Sequence, residues 1–311
     1  MPSIAHFSLS LDKINDSGTF SEGDTIRGQV SLELLRATEV LSLSVKAKGD
    51  ANAAWKPMAS GFLRTFRRPP SLFKTKEELI CADAQATLTP GPHRLGFTVH
   101  LPPEPLPSSF RGAYGSVVYC VEAKLVRRHK KPRRVRQEIG FFSRNVEPPP
   151  SAEESQSHRV ASRVDGPRFQ GRSSIINVSV DGKVFSPGGQ ISVVAKIFNF
   201  SGRDLEPIFF LLRSEEYRSR RHKKTEINCL QTEFTPALKA GGVRQDTCAL
   251  QVPHDAGLTV HHCEALSVDF LVLVSLGALP AHLETELPVV IVARDALPAA
   301  PPPRQANGES S

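Results

Sequence analysis

Residues 88–125 read LTPGPHRLGFTVHLPPEPLPSSFRGAYGSVVYCVEAKL, and the reading of this stretch decides the fold. Leu95, Phe97, Val99 and Leu101 recur at every second position in its first half, and Val117, Tyr119, Val121, Ala123 and Leu125 do so in its second. Side chains of a strand alternate between its two faces, so each run is a strand with one face buried. Between the runs, Pro102, Pro103, Pro105 and Pro107 remove backbone donors and forbid a regular ladder, while Gly112 and Gly115 permit tight turning. The pattern is a sandwich strand, a rigid crossover and a second sandwich strand.

Toward the N-terminus the same period recurs. Phe7, Leu9 and Leu11 share a face, Asn15–Gly18 and Gly23–Asp24 are turns, and Ile26, Gly28, Val30, Leu32 and Leu34 form a second strand. Leu41, Leu43, Val45 and Ala47 form a third, which the spacing ends at Gly49; Trp55 follows as core or rim packing. Residues 59–71, rich in Gly, Pro and Arg, predict a long exposed loop, and periodicity leaves 74–81 open between a strand and a helical turn. Past Leu125 the pattern breaks at Arg127–Pro132 and resumes with Val135, Ile139 and Phe141, which predicts a hairpin with a basic tip.

Residues 144–171 are rich in Pro and Ser with few large apolar side chains, and predict a linker. A second set of strands follows, carried by Ile176, Val178 and Val180, by Ile191, Val193, Ala195 and Ile197, and by Ile208, Phe210 and Leu212. Residues 213–224 predict a second basic loop, Leu266–Leu276 a long strand, and Leu287, Val289 and Ile291 the last one. The two sets echo each other in order. Phe20-Ser-Glu-Gly-Asp-Thr-Ile26 parallels Phe185-Ser-Pro-Gly-Gly-Gln-Ile191, and the alternation over Val117–Leu125 parallels that over Val268–Leu276. A duplicated sandwich is the simplest source of such echoes. The expected architecture is all-β: two tandem immunoglobulin-like sandwiches over 1–143 and 172–294, a linker over 144–171, and a disordered tail over 295–311.

A chain of 311 residues can bury two cores of ordinary size. No apolar run is long enough for a membrane helix, and the first residues alternate like a strand without the basic and apolar regions of a signal peptide. The five cysteines (Cys81, Cys120, Cys229, Cys248 and Cys263) are odd in number and scattered, as expected of a reduced cytoplasmic chain. These features count against a secreted immunoglobulin-like receptor.

The stretch from Pro90 to Leu125 also resembles the signature of arrestin-domain-containing proteins, the alpha-arrestins. FSEGDTIRGQV (20–30) and Val45–Gly49 are similar to that family's first-domain pattern, and FSPGGQISVVAKIFNFSGRDLEPI (185–208) and Leu287–Ile291 to its second. The resemblance implies two tandem β-sandwiches and an adaptor or scaffold that binds cytoplasmic parts of receptors and transporters in endocytic trafficking. It also implies a Pro-Pro-x-Tyr tail that docks WW domains of ubiquitin ligases. Here Pro301–Pro303 is followed by Arg304, and none of Tyr114, Tyr119 and Tyr217 lies in such a motif, so direct ligase binding is expected to be weak or absent.

No nucleophile elbow, zinc-protease, phosphate-loop or dinucleotide-binding motif occurs in the sequence, and no cofactor is implied. His261-His262-Cys263 is one local cluster, but alternation puts only His261 and Cys263 on one face, too few for a zinc site. A non-enzyme is expected. The informative feature is charge. Arg127, Arg128, Lys130, Lys131, Arg133, Arg134 and Arg136 place seven cations in ten residues with no acidic residue among them. The formal net charge of the whole chain is +7, so the remainder is neutral. Arg218, Arg220, Arg221, Lys223 and Lys224 extend the candidate set, and Arg64, Arg67 and Arg68 form a third cluster. The expectation is anion binding, to phosphorylated or acidic receptor tails or to acidic lipid, by a cytoplasmic protein peripheral to the plasma membrane or endosomes. The alternative is a nucleic-acid-binding basic β protein, which the lack of aromatics between Arg127 and Arg136 disfavours because bases have nothing to stack on.

Overall fold

The computed structural model describes residues 3–13, 15, 18–55, 64–66, 71–81, 86–144, 156–163, 173–219, 222–276 and 283–294. The tail expected over 295–311 lies outside them. The first half builds two sheets. One has β1 (Ile4–Leu11), β3 (Thr25–Leu34) and β8 (Gly91–His100) in the order β1-β3-β8. The other follows the order β2-β11-β10-β4-β5, from β2 (Thr19–Phe20), β11 (Arg133–Phe141), β10 (Gly115–Arg127), β4 (Thr38–Trp55) and β5 (Arg64–Phe66). β6 (Ser71–Ile80) and β7 (Ala86–Leu88) also pair with β4, and β9 (Phe110–Arg111) pairs with β10.

The second half repeats the plan. β12 (Gln156–Arg163), β13 (Ser173–Val180), β15 (Gln190–Phe198) and β18 (Val243–Gln251) make one sheet in that order. The other runs β14-β20-β19-β16-β17, from β14 (Val184–Phe185), β20 (Leu283–Ile291), β19 (Leu266–Leu276), β16 (Pro207–Ser219) and β17 (His222–Phe234). The duplication extends to detail. Phe20 pairs in parallel with Phe141, and Phe185 does the same with Ile291. Gly23 and Gly188 both adopt left-handed φ, 75° and 78°, where a Cβ is disfavoured. Their amides donate to the carbonyls of Pro102 and Val252 at 3.0 and 2.8 Å.

Both cores are the inward faces read from the alternation. Val117, Tyr119, Val121, Ala123 and Leu125 are buried, as are alternate residues of β19 from Leu266 to Leu276. Tyr119 stacks on Phe141 with ring centroids 4.4 Å apart, and its hydroxyl donates to the Pro107 carbonyl at 2.5 Å, which ties the crossover to the core. Gly49 does not end its strand. It lies opposite Tyr119, where a Cβ would come within 2.6 Å of the ring, and β4 runs on to a buried Trp55.

Other expectations are corrected. Residues 71–80 are strand throughout, and Arg64–Phe66 is strand within the expected loop, the rest of which lies outside the described residues. The expected linker contains β12, paired with β13 from Gln156–Val180 to Arg163–Ser173. An edge strand is held through its backbone ladder and needs no apolar run of its own. The stretch expected as a second basic loop is mostly the paired strands β16 and β17. Within Ile208–Leu212 of β16 the buried residues are Phe209 and Leu211, so Ile208, Phe210 and Leu212 face outward.

Edges of both sandwiches are closed by side chains. Glu77 of β6 accepts the Thr98 amide of β8 at 2.6 Å, and Gln231 of β17 accepts the Gln251 amide of β18 at 2.5 Å.

Candidate functional site

The basic hairpin is built by the β10–β11 ladder, which keeps Tyr119–Ile139 to Leu125–Arg133 in continuous register. Val135 is half-buried, Ile139 and Phe141 are buried, and Arg134 and Arg136 are exposed, as the alternation predicts. The chain turns through Arg128–Pro132 with His129 in left-handed φ, 51°, and the Lys130 amide returning to the Arg127 carbonyl at 3.4 Å.

The seven cations divide by partner. Arg128 pairs with Glu39 at 3.0 Å, and Arg134 shares Glu122 with Lys46, at 3.8 and 3.6 Å. Arg136 lies by the Cys120 thiol. Lys130, Lys131 and Arg133 are exposed and meet no carboxylate among the described residues. Arg127 differs from the expectation that the strand stops before it. It is the last residue of β10, half-buried, with Nη1 donating to Ser3 Oγ at 2.9 Å and Nε buried without a hydrogen-bond partner. Burial first, and the Arg133 charge second, hold its pKa below the ordinary arginine value. Arg127 thus feels a like charge and pairs with no acid among the described residues. An oxyanion bound at the exposed Arg133 would relieve the repulsion.

The second run behaves differently. Arg218 donates to Glu216 at 2.5 Å, Lys223 pairs with the same carboxylate at 3.2 Å, and Lys224 lies 4.0 Å from Glu226. The Arg218 hydrogen bond is the main reason the Glu216 carboxyl is held below its usual range. Lys224 also sits 3.8 Å above the Tyr114 ring. Arg220 and Arg221 lie outside the described residues. The described cations of this run thus have carboxylate partners, and the run contacts the first sandwich at the Gly115 end of β10, whereas the hairpin tip is at the Arg127 end. At about 3.3 Å per residue those ends are roughly 40 Å apart. The two runs do not form one site.

Other groups escaped the sequence reading. Glu22 is buried and accepts from Ser143 Oγ at 2.5 Å, the Arg144 amide at 2.9 Å and the Leu106 amide at 3.3 Å, joining the first turn to the crossover and the end of β11. At the junction between sandwiches, the buried Tyr217 donates to Glu215, which Arg213 also holds at 2.8 Å. Only the Ser-Glu-Gly-Asp pattern around Glu22 carries a local signal for either. His261 pairs with Asp269 at 2.9 Å, and burial pushes the Cys263 thiol up, the reverse of an activated nucleophile. Among the described residues no group of three His, Cys, Asp or Glu could hold a metal ion, and no helix is long and apolar enough to cross a membrane.

Residues 7–143 match the family described as Arrestin (or S-antigen), N-terminal domain, and residues 171–295 match its C-terminal domain. The chain belongs to the arrestin family. This arrestin-domain chain is similar to arrestin domain-containing protein 4 of Mus musculus, 29% identical over 221 residues, covering 67% of this chain and 52% of that protein. Its similarity to the Homo sapiens protein of the same name is 28% over 218 residues, with the same coverage. To thioredoxin-interacting protein of Rattus norvegicus it is 23% identical over 295 residues, covering 89% of this chain and 72% of that protein. The chain spans about half the length of the arrestin domain-containing protein 4 sequences it matches.

Proposed function

We propose that this arrestin-domain chain is a non-enzymatic adaptor that binds cytoplasmic parts of membrane proteins in endocytic trafficking. In this reading 1–143 and 172–294 are the working domains and 144–171 connects them. The chain is cytoplasmic and reaches the plasma membrane or endosomes through its partners. The β10–β11 hairpin takes the anionic group, a phosphate or acidic head group, on Arg127, Lys130, Lys131 and Arg133, with Arg128, Arg134 and Arg136 adding to the local field. Arg218, Arg220, Arg221, Lys223 and Lys224 are left to a separate, weaker role. Family membership supports the adaptor reading.

The observation that carries the binding mode is Arg127, a half-buried guanidinium that feels the like charge of Arg133 and meets no carboxylate among the described residues. Carrying such a charge costs stability unless a ligand completes it. The test replaces Arg127, Lys130, Lys131 and Arg133 with Ala and measures binding to phosphatidylserine vesicles and to a phosphoserine peptide at roughly physiological salt. Wild type should bind with a steep salt dependence, and the variant should lose most of that binding. Unchanged binding to both overturns the assignment. Retention by a WW-domain resin equal to that of a Pro-Pro-x-Tyr control would overturn the expectation of weak ligase binding.

A further inference from the structure

Strand β16 carries five apolar residues in a row, Ile208–Leu212. A sandwich strand with one solvated face needs only alternate ones. Phe209 and Leu211 fill the core, and Ile208, Phe210 and Leu212 stand on the opposite face of the sheet. The ladder sets them in rows. Phe210 lies beside Leu273 and Leu212 beside Leu271 on β19, while Ile208 lies beside Phe234 on β17. Phe234 is 72% exposed, and Ile227, beside Ser214 at the other end of the same face of β17, is 65% exposed. An apolar surface therefore continues across three strands where the fold calls for a wet one.

The duplicated fold supplies its own control. The equivalent positions of the first sandwich lie on β4, β10 and β6, in the same topological order. There Lys46 lies beside Glu122 and Lys76, and Ser44 beside Lys124. The architecture thus accepts a mainly polar and charged outer face, and the apolar one on β16 and β19 is not a requirement of folding.

Its border is acidic. Glu286 lies beside Leu273 and Glu284 beside Ser275 on the β20 side, and Asp269, paired with His261, lies beside Ser214 at the next row. All three carboxylates are exposed, and the outward-facing positions of the rows from Ile208 to Ser214 carry no Lys or Arg on β17, β16, β19 or β20; Arg213 is on the other phase of β16, where Glu215 holds it. Within a chain of net charge +7 this is a local reversal of sign. An acidic membrane would be repelled by it. A second copy docked through the same face would bring the same carboxylates and no cation of that face to meet them. We propose that this face docks an amphipathic peptide segment whose apolar side is bordered by Lys or Arg. Segments of that composition are common at the cytoplasmic ends of membrane spans, where Lys and Arg accumulate. The docking does not depend on the basic hairpin.

The test titrates the full chain into a fluorescent peptide of about 18 residues, made of Leu and Lys with the leucines at helical spacing, and into its mirror with Glu for every Lys. Net charge alone favours the acidic mirror. Docking on this face instead predicts that the Lys peptide binds at least about tenfold more tightly. Phe210→Asn with Leu273→Asn should lower that affinity by about tenfold or more. Glu284→Lys with Glu286→Lys, at exposed positions that leave the core untouched, should shift the preference to the Glu peptide. The Ala variant of Arg127, Lys130, Lys131 and Arg133 should bind the Lys peptide like wild type, so failure of the anion-binding reading leaves this result standing. Equal affinity for the two peptides, or unchanged affinity in both outer-face variants, overturns the proposal. So does concentration-dependent dimerisation abolished by Phe210→Asn with Leu273→Asn, which would assign the face to a second copy.

Discussion

The ring of Tyr114 stands edge-on to the ring of Tyr217, with centroids 5.6 Å apart and planes at 82°, and the two residues belong to different sandwiches. The Tyr217 hydroxyl donates to Glu215 and accepts the Tyr114 backbone amide, so a buried carboxylate of the second sandwich is completed through a turn of the first. Gly112 makes the approach possible, since a Cβ there would lie 2.1 Å from the Tyr217 oxygen. Tyr217→Phe should cost about 1–3 kcal/mol, because Glu215 then loses a buried donor. Gly112→Ala should loosen the same joint, since its Cβ would press on the Tyr217 oxygen and on the buried Phe110 ring. Both effects are read by faster amide hydrogen exchange over 112–115 and 215–217, with exchange in β8 and β15 unchanged.

Glu22 makes a second test of a buried carboxylate. Glu22→Ala strands the Ser143 hydroxyl and the Arg144 and Leu106 amides that it now satisfies. Each unmet buried group costs about 1–3 kcal/mol. Thermal unfolding of the first sandwich should fall by several degrees, and Glu22→Gln, which keeps an acceptor, should fall less.

Arg127 should trade stability against binding. Arg127→Met keeps the packing of the stem and removes a desolvated charge that Arg133 repels. Stability of the first sandwich should stay within about 0.5 kcal/mol of wild type or rise, while vesicle binding falls. A loss of stability of several kcal/mol would mean that the guanidinium is a structural tie to Ser3.

The cysteines give a pH prediction. Burial, then Glu233, pushes the Cys248 thiol from 9.0 up to about 11. The unfolded chain therefore loses this proton first. The contribution is fully present below pH 9, where both states are protonated, and declines as pH rises from about 9 to 11. Denaturant midpoints measured across that range should fall accordingly, and Cys248→Ala should flatten the slope. Alkylation of the folded chain should reach the exposed Cys81 and Cys229 well before the buried Cys120, Cys248 and Cys263.

Strands with one apolar residue in two were legible in the sequence, because their pattern has a single solution. β8, β10 and β19 are of this kind. Ile208–Leu212 is apolar at every position, so either phase reads equally well, and only the sheet on which β16 lies separates core from surface. β6 and β12 carry polar residues and are held by neighbours whose ladders sequence does not display. The charged run over 213–224 reads as a loop until the strand period is applied, when Glu216, Arg218 and Lys223 meet on one face. The hairpin cations were all visible. Which of them lack a partner was not, since Glu39 and Glu122 come from elsewhere in the chain.

Two copies of one topology in a single chain face a particular hazard. Their strands are interchangeable in shape, and a short connection keeps them at an effective concentration in roughly the millimolar range. Under such conditions strand exchange between halves competes with correct assembly. The Glu77 cap on Thr98 and the Gln231 cap on Gln251 answer that hazard where it is greatest, at an outer ladder of each half. An incoming strand would have to displace a bound carboxylate or amide oxygen before its first backbone bond could form. Each cap thus withholds one backbone donor of an edge strand from a strand of the other half.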